Sequence, residues 1–179
     1  VICMIPARIG SQRFMQKNLA LIDNKPILSW GIEAAKKSGI FDEIIINGDH
    51  EYFKEIAESY GLKFHQRNKE LSSNNSKSDD VIFDFLNHYK CDYVIWFNAI
   101  APLQTVKDIK CFVEKLTRKE INSLFSVKSE YIQTLFKNSP VNFSITEKFS
   151  RTQDLIPIST FIPSMMGWET KTFKETYLK

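Results

Sequence analysis

Short apolar runs alternate along this chain with segments of helical periodicity, and this alternation limits the fold more than any other feature. Residues 1–5 form a continuous apolar run, which is typical of a parallel strand covered on both faces. Further strand-like runs occur at 43–47, 62–65, 92–97 and 122–127. Strands that alternate with helices predict an α/β fold with a doubly wound, mostly parallel sheet.

Helix boundaries are marked by residues with known positional preferences. Pro26 suits the first turn of a helix that Gly39 ends. Another helix is predicted at 50–60, and Ser78 and Thr105 are predicted N-caps of the next two. Beyond residue 129 the periodicity weakens. We predict short strands near 134–137, 142–146 and 158–162, and a helix near the end.

Composition excludes several classes of protein. The 179 residues suit one domain, predicted to span 1–179, and the apolar runs are far shorter than the ~20 residues of a membrane span. The net charge is only +3 and the lysines are scattered, so neither nucleic acid nor membrane is an expected partner. Cys3, Cys91 and Cys111 lack C-x-x-C spacing and are interpreted as small buried hydrophobes of a cytoplasmic protein.

Four polar loops follow predicted strands, at 6–18, 47–50, 66–77 and 98–104. Ligands of doubly wound sheets bind outside the carboxyl ends of the strands, where the strand order changes direction. The functional site is therefore expected among these loops.

The 6–18 loop carries three cations, and the first acid of the chain is Asp23. Arg8 and Arg13 can each fork onto phosphate oxygens, and Lys17 can act as a point charge. Gly10 lets backbone N–H groups approach phosphate, and Ser11 adds a hydroxyl donor. The loop therefore suits a polyanion. The alternative interpretation is a solvated basic loop.

The string from residue 5 to residue 18, IPARIGSQRFMQKN, resembles the amino-terminal signature of the acylneuraminate cytidylyltransferases, the CMP-sialic acid synthetases. That signature runs roughly I-P-A-R-x-G-S-x-R/G-x-x-x-K-N, and every fixed position is present. The related CMP-Kdo synthetases share its beginning but usually lack the Lys-Asn pair. The resemblance implies that the loop wraps the nucleotide triphosphate and part of the cytosine. It assigns that contact to Arg8, Ser11, Arg13, Lys17 and Asn18.

The resemblance continues downstream. Residues 24–28 look like the family's Gly-Lys-Pro-Leu turn, with Asn24 as the residue that tolerates a left-handed backbone. Arg67 and Ser78 fall where the family has an arginine and a serine near base and ribose. Two alternatives stay open, a surface arginine at 67 and a plain helix cap at 78.

On the sugar side the resemblance is weaker. Residues 98–104 occupy the place of the family's Gln-Pro-Thr-Ser-Pro-Leu-Arg but retain only its second proline and the leucine, so Asn98 and Gln104 replace its glutamine and arginine. Arg151 and Gln153 match an Arg-x-Gln stretch that shapes the sugar pocket, and the alternative is an ordinary loop. These four residues are the candidate sugar contacts.

Arginine is scarce in this chain, with 5 arginines against 19 lysines. Four of the five fall on or beside the family's ligand positions, and Arg118 is the exception. In a lysine-rich chain, arginine is expected where a planar fork is required rather than a point charge.

The resemblance implies transfer of CMP from CTP to a 2-keto-3-deoxy sugar acid, with Arg8 and Lys17 as catalytic residues, Mg²⁺ as cofactor and a homodimer whose partner helps close the sugar pocket. The substrate class places such an enzyme in lipopolysaccharide or capsule synthesis. CMP-Kdo synthesis, a catalytically silent nucleotide-binding homologue and a glycosyltransferase are the alternatives.

The metal ligands are not identified by the sequence. The sialic acid branch of the family uses an Asp-x-Asp pair late in the chain, and this chain has none. Either the domain continues beyond Lys179 or the metal site differs. Asp49 and Glu169 are the candidate substitutes, whereas Asp79 and Asp80 are interpreted as the acidic start of a helix.

Overall fold

The computed structural model of this protein describes residues 1–10 and 14–179. The predicted nucleotide contacts Ser11 and Arg13 lie outside the described residues. Every other candidate residue can be located.

Within the described residues the chain forms ten strands and five α-helices. The strands are β1 (Ile2–Ala7), β2 (Leu21–Ile22), β3 (Lys25–Pro26), β4 (Glu43–Gly48), β5 (Lys63–Gln66), β6 (Tyr93–Phe97), β7 (Ser123–Glu130), β8 (Leu135–Phe136), β9 (Ser139–Pro140) and β10 (Ile158–Glu169). The helices are α1 (Ile27–Ser38), α2 (Glu51–Ser59), α3 (Ser78–His88), α4 (Val106–Leu116) and α5 (Thr170–Tyr177).

The main sheet has six strands in the order β5-β4-β1-β6-β10-β7. β1 pairs in parallel with β4 on one side and with β6 on the other, and β4 pairs in parallel with β5. The strand order therefore changes direction between β1 and β6. β10 is antiparallel to β6, with Met165 opposite Phe97 and Glu169 opposite Tyr93.

Helices cover both faces of this sheet. Alternate residues of β1 point to opposite sides, so Cys3 and Ile5 join the core formed with α1, α2 and α4, while Ile2 and Met4 join the core formed with α3 and α5. A strand buried on both sides needs apolar residues at every position, which is the pattern of residues 1–5. The predicted doubly wound α/β fold is confirmed.

Two compact units are present, one of residues 1–124 and 164–179 and one of residues 125–163. The first holds the parallel strands, all five helices and both cores. The second contains the two-stranded β8–β9 sheet and a 3₁₀ turn at Thr152–Asp154. The single domain over 1–179 stays a prediction, because compactness alone does not define a domain.

The second unit is where the prediction of strands fails. No strand forms at 142–146. The Asn142 side chain instead donates to the carbonyls of Ile132 and Ile156, at 2.9 and 2.8 Å, and accepts the Thr134 N–H at 3.0 Å. A side chain used in this way supports a loop in place of a ladder.

Two further expectations are corrected. Lys77, not Ser78, is the N-cap of α3, and Ser78 is its first helical residue. Cys111 is exposed on α4, whereas Cys3 is fully buried, and burial raises the pKa of the Cys3 thiol. Thr105 does cap α4, because its Oγ1 accepts the Asp108 N–H at 3.1 Å.

None of the described helices combines the length and the apolar character that crossing a bilayer requires.

Gly31 of α1 lies against Ala99, which follows β6. A β-carbon at position 31 would lie 2.5 Å from the Ala99 β-carbon and 2.7 Å from its α-carbon. Backbone cannot move aside as a flexible side chain can, so this contact requires glycine. It fixes the start of the 98–104 loop against α1.

We predict that Gly31→Ala lowers the free energy of unfolding. Alanine in place of glycine normally favours a helix by about 1 kcal/mol. Overpacking against Ala99 costs about 1–3 kcal/mol and outweighs that gain. Urea unfolding measures the change, with Gly10→Ala as the control because, among the described residues other than its chain neighbours, no atom lies within 4 Å of a β-carbon there. Equal or greater stability of Gly31→Ala would show that the contact is not tight.

Candidate functional site

A cleft of about 370 Å³ opens in the first unit, at the carboxyl ends of the parallel strands. It lies where the strand order changes direction between β1 and β6, as expected for this fold. From β1 and the loop that follows it, the lining residues are Pro6, Arg8, Lys17 and Asn18. From the segment between β5 and α3 they are Arg67, Leu71, Asn74, Ser76, Lys77, Ser78 and Val81, and from β6 onward Trp96, Asn98 and Ile100.

Arg8 joins two of these loops. Its Nη1 donates to the carbonyls of Ser72 and Ser73, at 3.2 and 2.7 Å, and its Nη2 donates to Asn74 Oδ1 at 3.2 Å. The Arg8 carbonyl accepts a hydrogen bond from Asn18 Nδ2 at 3.0 Å. The guanidinium therefore lies in the cleft and holds the 72–74 segment at its edge.

Arg67 is buried, with 3% of its surface exposed, so the surface-arginine interpretation is wrong. Its Nε donates to Asn47 Oδ1 at 2.7 Å and its Nη2 to the Asn47 carbonyl at 2.9 Å. Burial lowers the pKa of Arg67 to about 10, the positive charge of Arg8 adds to this shift, and Asp49 and Asp84 oppose it. The side chain stays cationic at neutral pH, because its pKa lies well above 7.

The cleft has a single sign of charge. Arg8, Lys17, Arg67 and Lys77 all line it, and no carboxylate is found among the lining residues in the described part of the chain. Several cations that line one concave, partly desolvated site attract polyanions. Asn18, which is buried, anchors the loop that carries Lys17.

Ser78 contributes from the beginning of α3. It lines the cleft as the first residue of the helix, where backbone N–H groups have no partner within the helix. The acidic residues Asp79 and Asp80 occupy the same first turn, as interpreted from the sequence. Asp80 Oδ2 accepts the Lys77 N–H at 3.3 Å.

The predicted sugar contacts do not all lie together. Asn98 lines the cleft, and its backbone N–H donates to the Ser164 carbonyl at 2.8 Å. Gln104 is not among the lining residues, and its buried Oε1 has no hydrogen-bond partner in the described structure.

Arg151 and Gln153 belong to the second unit. Arg151 forms a two-pronged ion pair with Asp154, with Nε–Oδ2 at 2.7 Å and Nη2–Oδ1 at 3.1 Å. Most of the Arg151 side chain is exposed. Gln153 lies in the adjacent 3₁₀ turn.

Neither candidate metal ligand lines the cleft. Asp49 Oδ1 accepts the Ile9 N–H at 2.9 Å and so supports the loop after β1. Glu169 caps α5, with Oε2 accepting the Thr172 N–H at 3.2 Å. It pairs with Tyr93 at the opposite end of β6 from the cleft, about 13 Å along the strand, so Glu169 is excluded as a ligand there.

Sequence reasoning missed several lining residues. Lys77 and Trp96 are the most consequential, because one adds a cation and the other an aromatic ring. The signal for Lys77 was its place directly before the predicted helix. Trp96 was hidden within an apolar strand, where an aromatic residue predicts core packing as readily as ligand contact.

Comparison with known proteins shows a consistent similarity. Residues 2–154 match the family model described as cytidylyltransferase. The chain is 35% identical to the pseudaminic acid cytidylyltransferase of Campylobacter jejuni, over 86% of this chain and 72% of that protein. It is 32% identical to an N-acylneuraminate cytidylyltransferase of Streptococcus agalactiae, over 99% of this chain but 44% of that protein.

A solved structure has the same fold. The chain superposes with a TM-score of 0.75 on a CMP:2-keto-3-deoxy-manno-octonic acid synthetase complexed with CTP. The match covers 99% of this chain and 77% of that one, at 15% identity. At this identity the similarity concerns the fold alone.

Removing the acceptor for Arg67 should destabilise the fold. Asn47→Ala leaves Arg67 Nε buried without its partner, and loss of a hydrogen bond to a charged group costs about 1.5–3 kcal/mol. Urea unfolding measures the loss. Asn47→Asp keeps an acceptor and should retain most of the stability. Equal losses in both variants would contradict the role assigned to the Asn47 side chain.

Proposed function

This chain belongs to the cytidylyltransferase family, and we propose that it transfers CMP from CTP to a 2-keto-3-deoxy sugar acid and releases pyrophosphate. The observation that carries the proposal is the cleft at the change in strand order. It is lined by four cations and, within the described residues, by no carboxylate. Such a lining suits the triphosphate of CTP.

We assign the cations of the cleft to different parts of CTP. Lys17 extends from the loop after β1 and offers a point charge, which we assign to the phosphates. Arg8 also lines the cleft and holds the 72–74 segment. Arg67, fixed by Asn47, and Ser78 at the start of α3 are further lining residues, which we assign to the base and ribose.

In the proposed reaction the anomeric hydroxyl of the sugar acid attacks the α-phosphorus of CTP. A bond forms between that oxygen and phosphorus, the bond from phosphorus to the bridging oxygen of the β-phosphate breaks, pyrophosphate leaves with that oxygen, and the hydroxyl proton passes to water. Protein groups contribute mainly by positioning the reactants and by stabilising negative charge on the phosphates. Lys17 and Arg8 are the groups placed to do so.

Magnesium stays a prediction of the family resemblance. Mg²⁺ takes carboxylate oxygens from proteins, and the described lining residues offer none. The residues of the cleft therefore do not fit an ion held by the protein. The reaction proposed for this chain relies on its cations.

The sugar is proposed to be a nonulosonic acid, a class that includes sialic, pseudaminic and legionaminic acids. The sequence identity to a pseudaminic acid and an N-acylneuraminate enzyme supports this class. The Lys17-Asn18 pair adds to it, since both residues line the cleft. Kdo is the second candidate, favoured by the fold similarity to the octonic acid synthetase.

A homodimer is proposed from the second unit. Among the described residues, twelve large apolar side chains in 125–163 are exposed, including Phe136, Ile145 and Ile156 at 67–75%. Apolar surface at this density is typical of an interface. We propose that a second copy of this chain covers it, as the family resemblance implies.

We predict that Lys17→Ala lowers turnover by roughly two to three decades, the usual cost of losing one preorganised charge donor. Pyrophosphate release with CTP and the preferred sugar acid measures it. The control is Lys37→Ala, which removes an exposed lysine at the end of α1 and should leave turnover unchanged. Turnover near wild type in Lys17→Ala would refute the role of Lys17.

The substrate class is tested with the same assay. CTP is supplied with sialic, legionaminic and pseudaminic acids and with Kdo in turn, and the nucleotide sugar is identified by mass. We expect release with a nonulosonic acid. Release with Kdo alone would transfer the assignment to the second candidate. Tight CTP binding without release under any acid would identify a silent homologue.

Light scattering during size exclusion tests the dimer. We predict a mass twice the 20.8 kDa of the chain, and a monomer for Phe136→Glu combined with Ile145→Glu. Leu103→Glu is the matched control, since Leu103 is 92% exposed in the first unit. A monomeric wild-type chain, or a dimer unaffected by the double substitution, would overturn the proposal.

A further inference from the structure

Two of the three histidines of this chain lie close to an aspartate at the β5 edge of the main sheet. His65 lies on β5, the edge strand, while Asp84 and His88 lie on α3. Asp84 and His88 are four residues apart, so both side chains lie on the same face of the helix. None of the three lines the cleft.

The distances suit a metal ion. One ligand atom from each residue lies within 4.8 Å of the others. His65 Nε2 and Asp84 Oδ2 are 3.4 Å apart. Two ligands at about 2.0–2.1 Å from a tetrahedral ion are separated by about 3.3 Å, so this pair already has the required spacing.

The His88 ring is held by a backbone contact. Its Nδ1 lies 2.9 Å from the Asp84 carbonyl oxygen. A carbonyl can only accept, so the proton lies on Nδ1 and the Nε2 lone pair is left for a ligand. Histidines that bind metals are oriented by this kind of second hydrogen bond.

Burial and aromatic contacts hold the His65 ring in place. It is 8% exposed, and its ring makes edge contacts with Phe85 and Tyr89. A metal ion bound by this pair would replace the proton that His65 Nε2 shares with Asp84 Oδ2.

We propose that His65, Asp84 and His88 bind a zinc-class divalent metal ion. Two imidazoles and a carboxylate are ligands that Zn²⁺ prefers, whereas Mg²⁺ prefers oxygen ligands alone. Three protein ligands leave a fourth position for water. The site is separate from the proposed reaction and does not depend on it.

A metal here would connect two walls of the cleft. His65 is two residues before Arg67, and α3 begins at the lining residue Ser78. An ion that joins β5 to α3 would restrain Arg67, which directly follows β5, and Ser78, which begins α3. The competing interpretation is an ordinary His65–Asp84 hydrogen bond within an aromatic cluster, which binds no metal.

Calorimetric titration of the untagged protein with ZnCl₂ tests the proposal, in a Cys111→Ser background that removes the exposed thiol. We expect one ion per chain and a higher melting temperature when zinc is present. His88→Ala removes a ligand, so it should weaken binding by more than the roughly hundred-fold that loss of an outer hydrogen-bond partner can cost, and abolish the shift in melting temperature.

The third histidine supplies the control. His50→Ala removes a histidine outside the cluster and should leave zinc affinity unchanged. Asp84→Asn is a second variant, expected to weaken binding while keeping the shape of the side chain. Circular dichroism identifies any variant that fails to fold. No zinc binding by the wild-type chain, or equal affinity in His88→Ala and His50→Ala, would overturn the proposal.

Discussion

The site depends on the change in strand order between β1 and β6. β4 and β5 lie on one side of β1 and β6 on the other, and residues that follow β1, β5 and β6 all line the cleft at this point. Two segments, the loop after β1 and the segment between β5 and α3, supply the cations that line it. Hydrogen bonds from Arg8 to the 72–74 segment and from Arg67 to Asn47 hold these segments in place.

Most of the fold could be predicted from the sequence because its strongest patterns are local. The apolar run of β1 and the caps at Gly39 and Thr105 mark their elements without knowledge of their neighbours. Asn24 has φ of 58°, as its place in the turn suggested. The antiparallel insertion of β10 beside β6 was not predictable, since pairing depends on distant residues.

The candidate site shows the same division. The scarcity of arginine identified positions where the planar guanidinium group is used, but it did not identify the hydrogen-bond acceptors of that group. Arg8 bonds to loop carbonyls, Arg67 to Asn47 and Arg151 to Asp154. Residue type predicts the geometry of a contact, whereas the partner depends on the fold. Lys77 and Trp96 reach the cleft only through that fold.

The binding site for CTP is tested most sharply by a crystal structure of the protein soaked with CTP. We expect the triphosphate within hydrogen-bond distance of Lys17 and Arg8, and the base near Arg67 and Ser78. CTP bound away from the carboxyl ends of β1 and β6, or no CTP bound at saturating concentration, would contradict it.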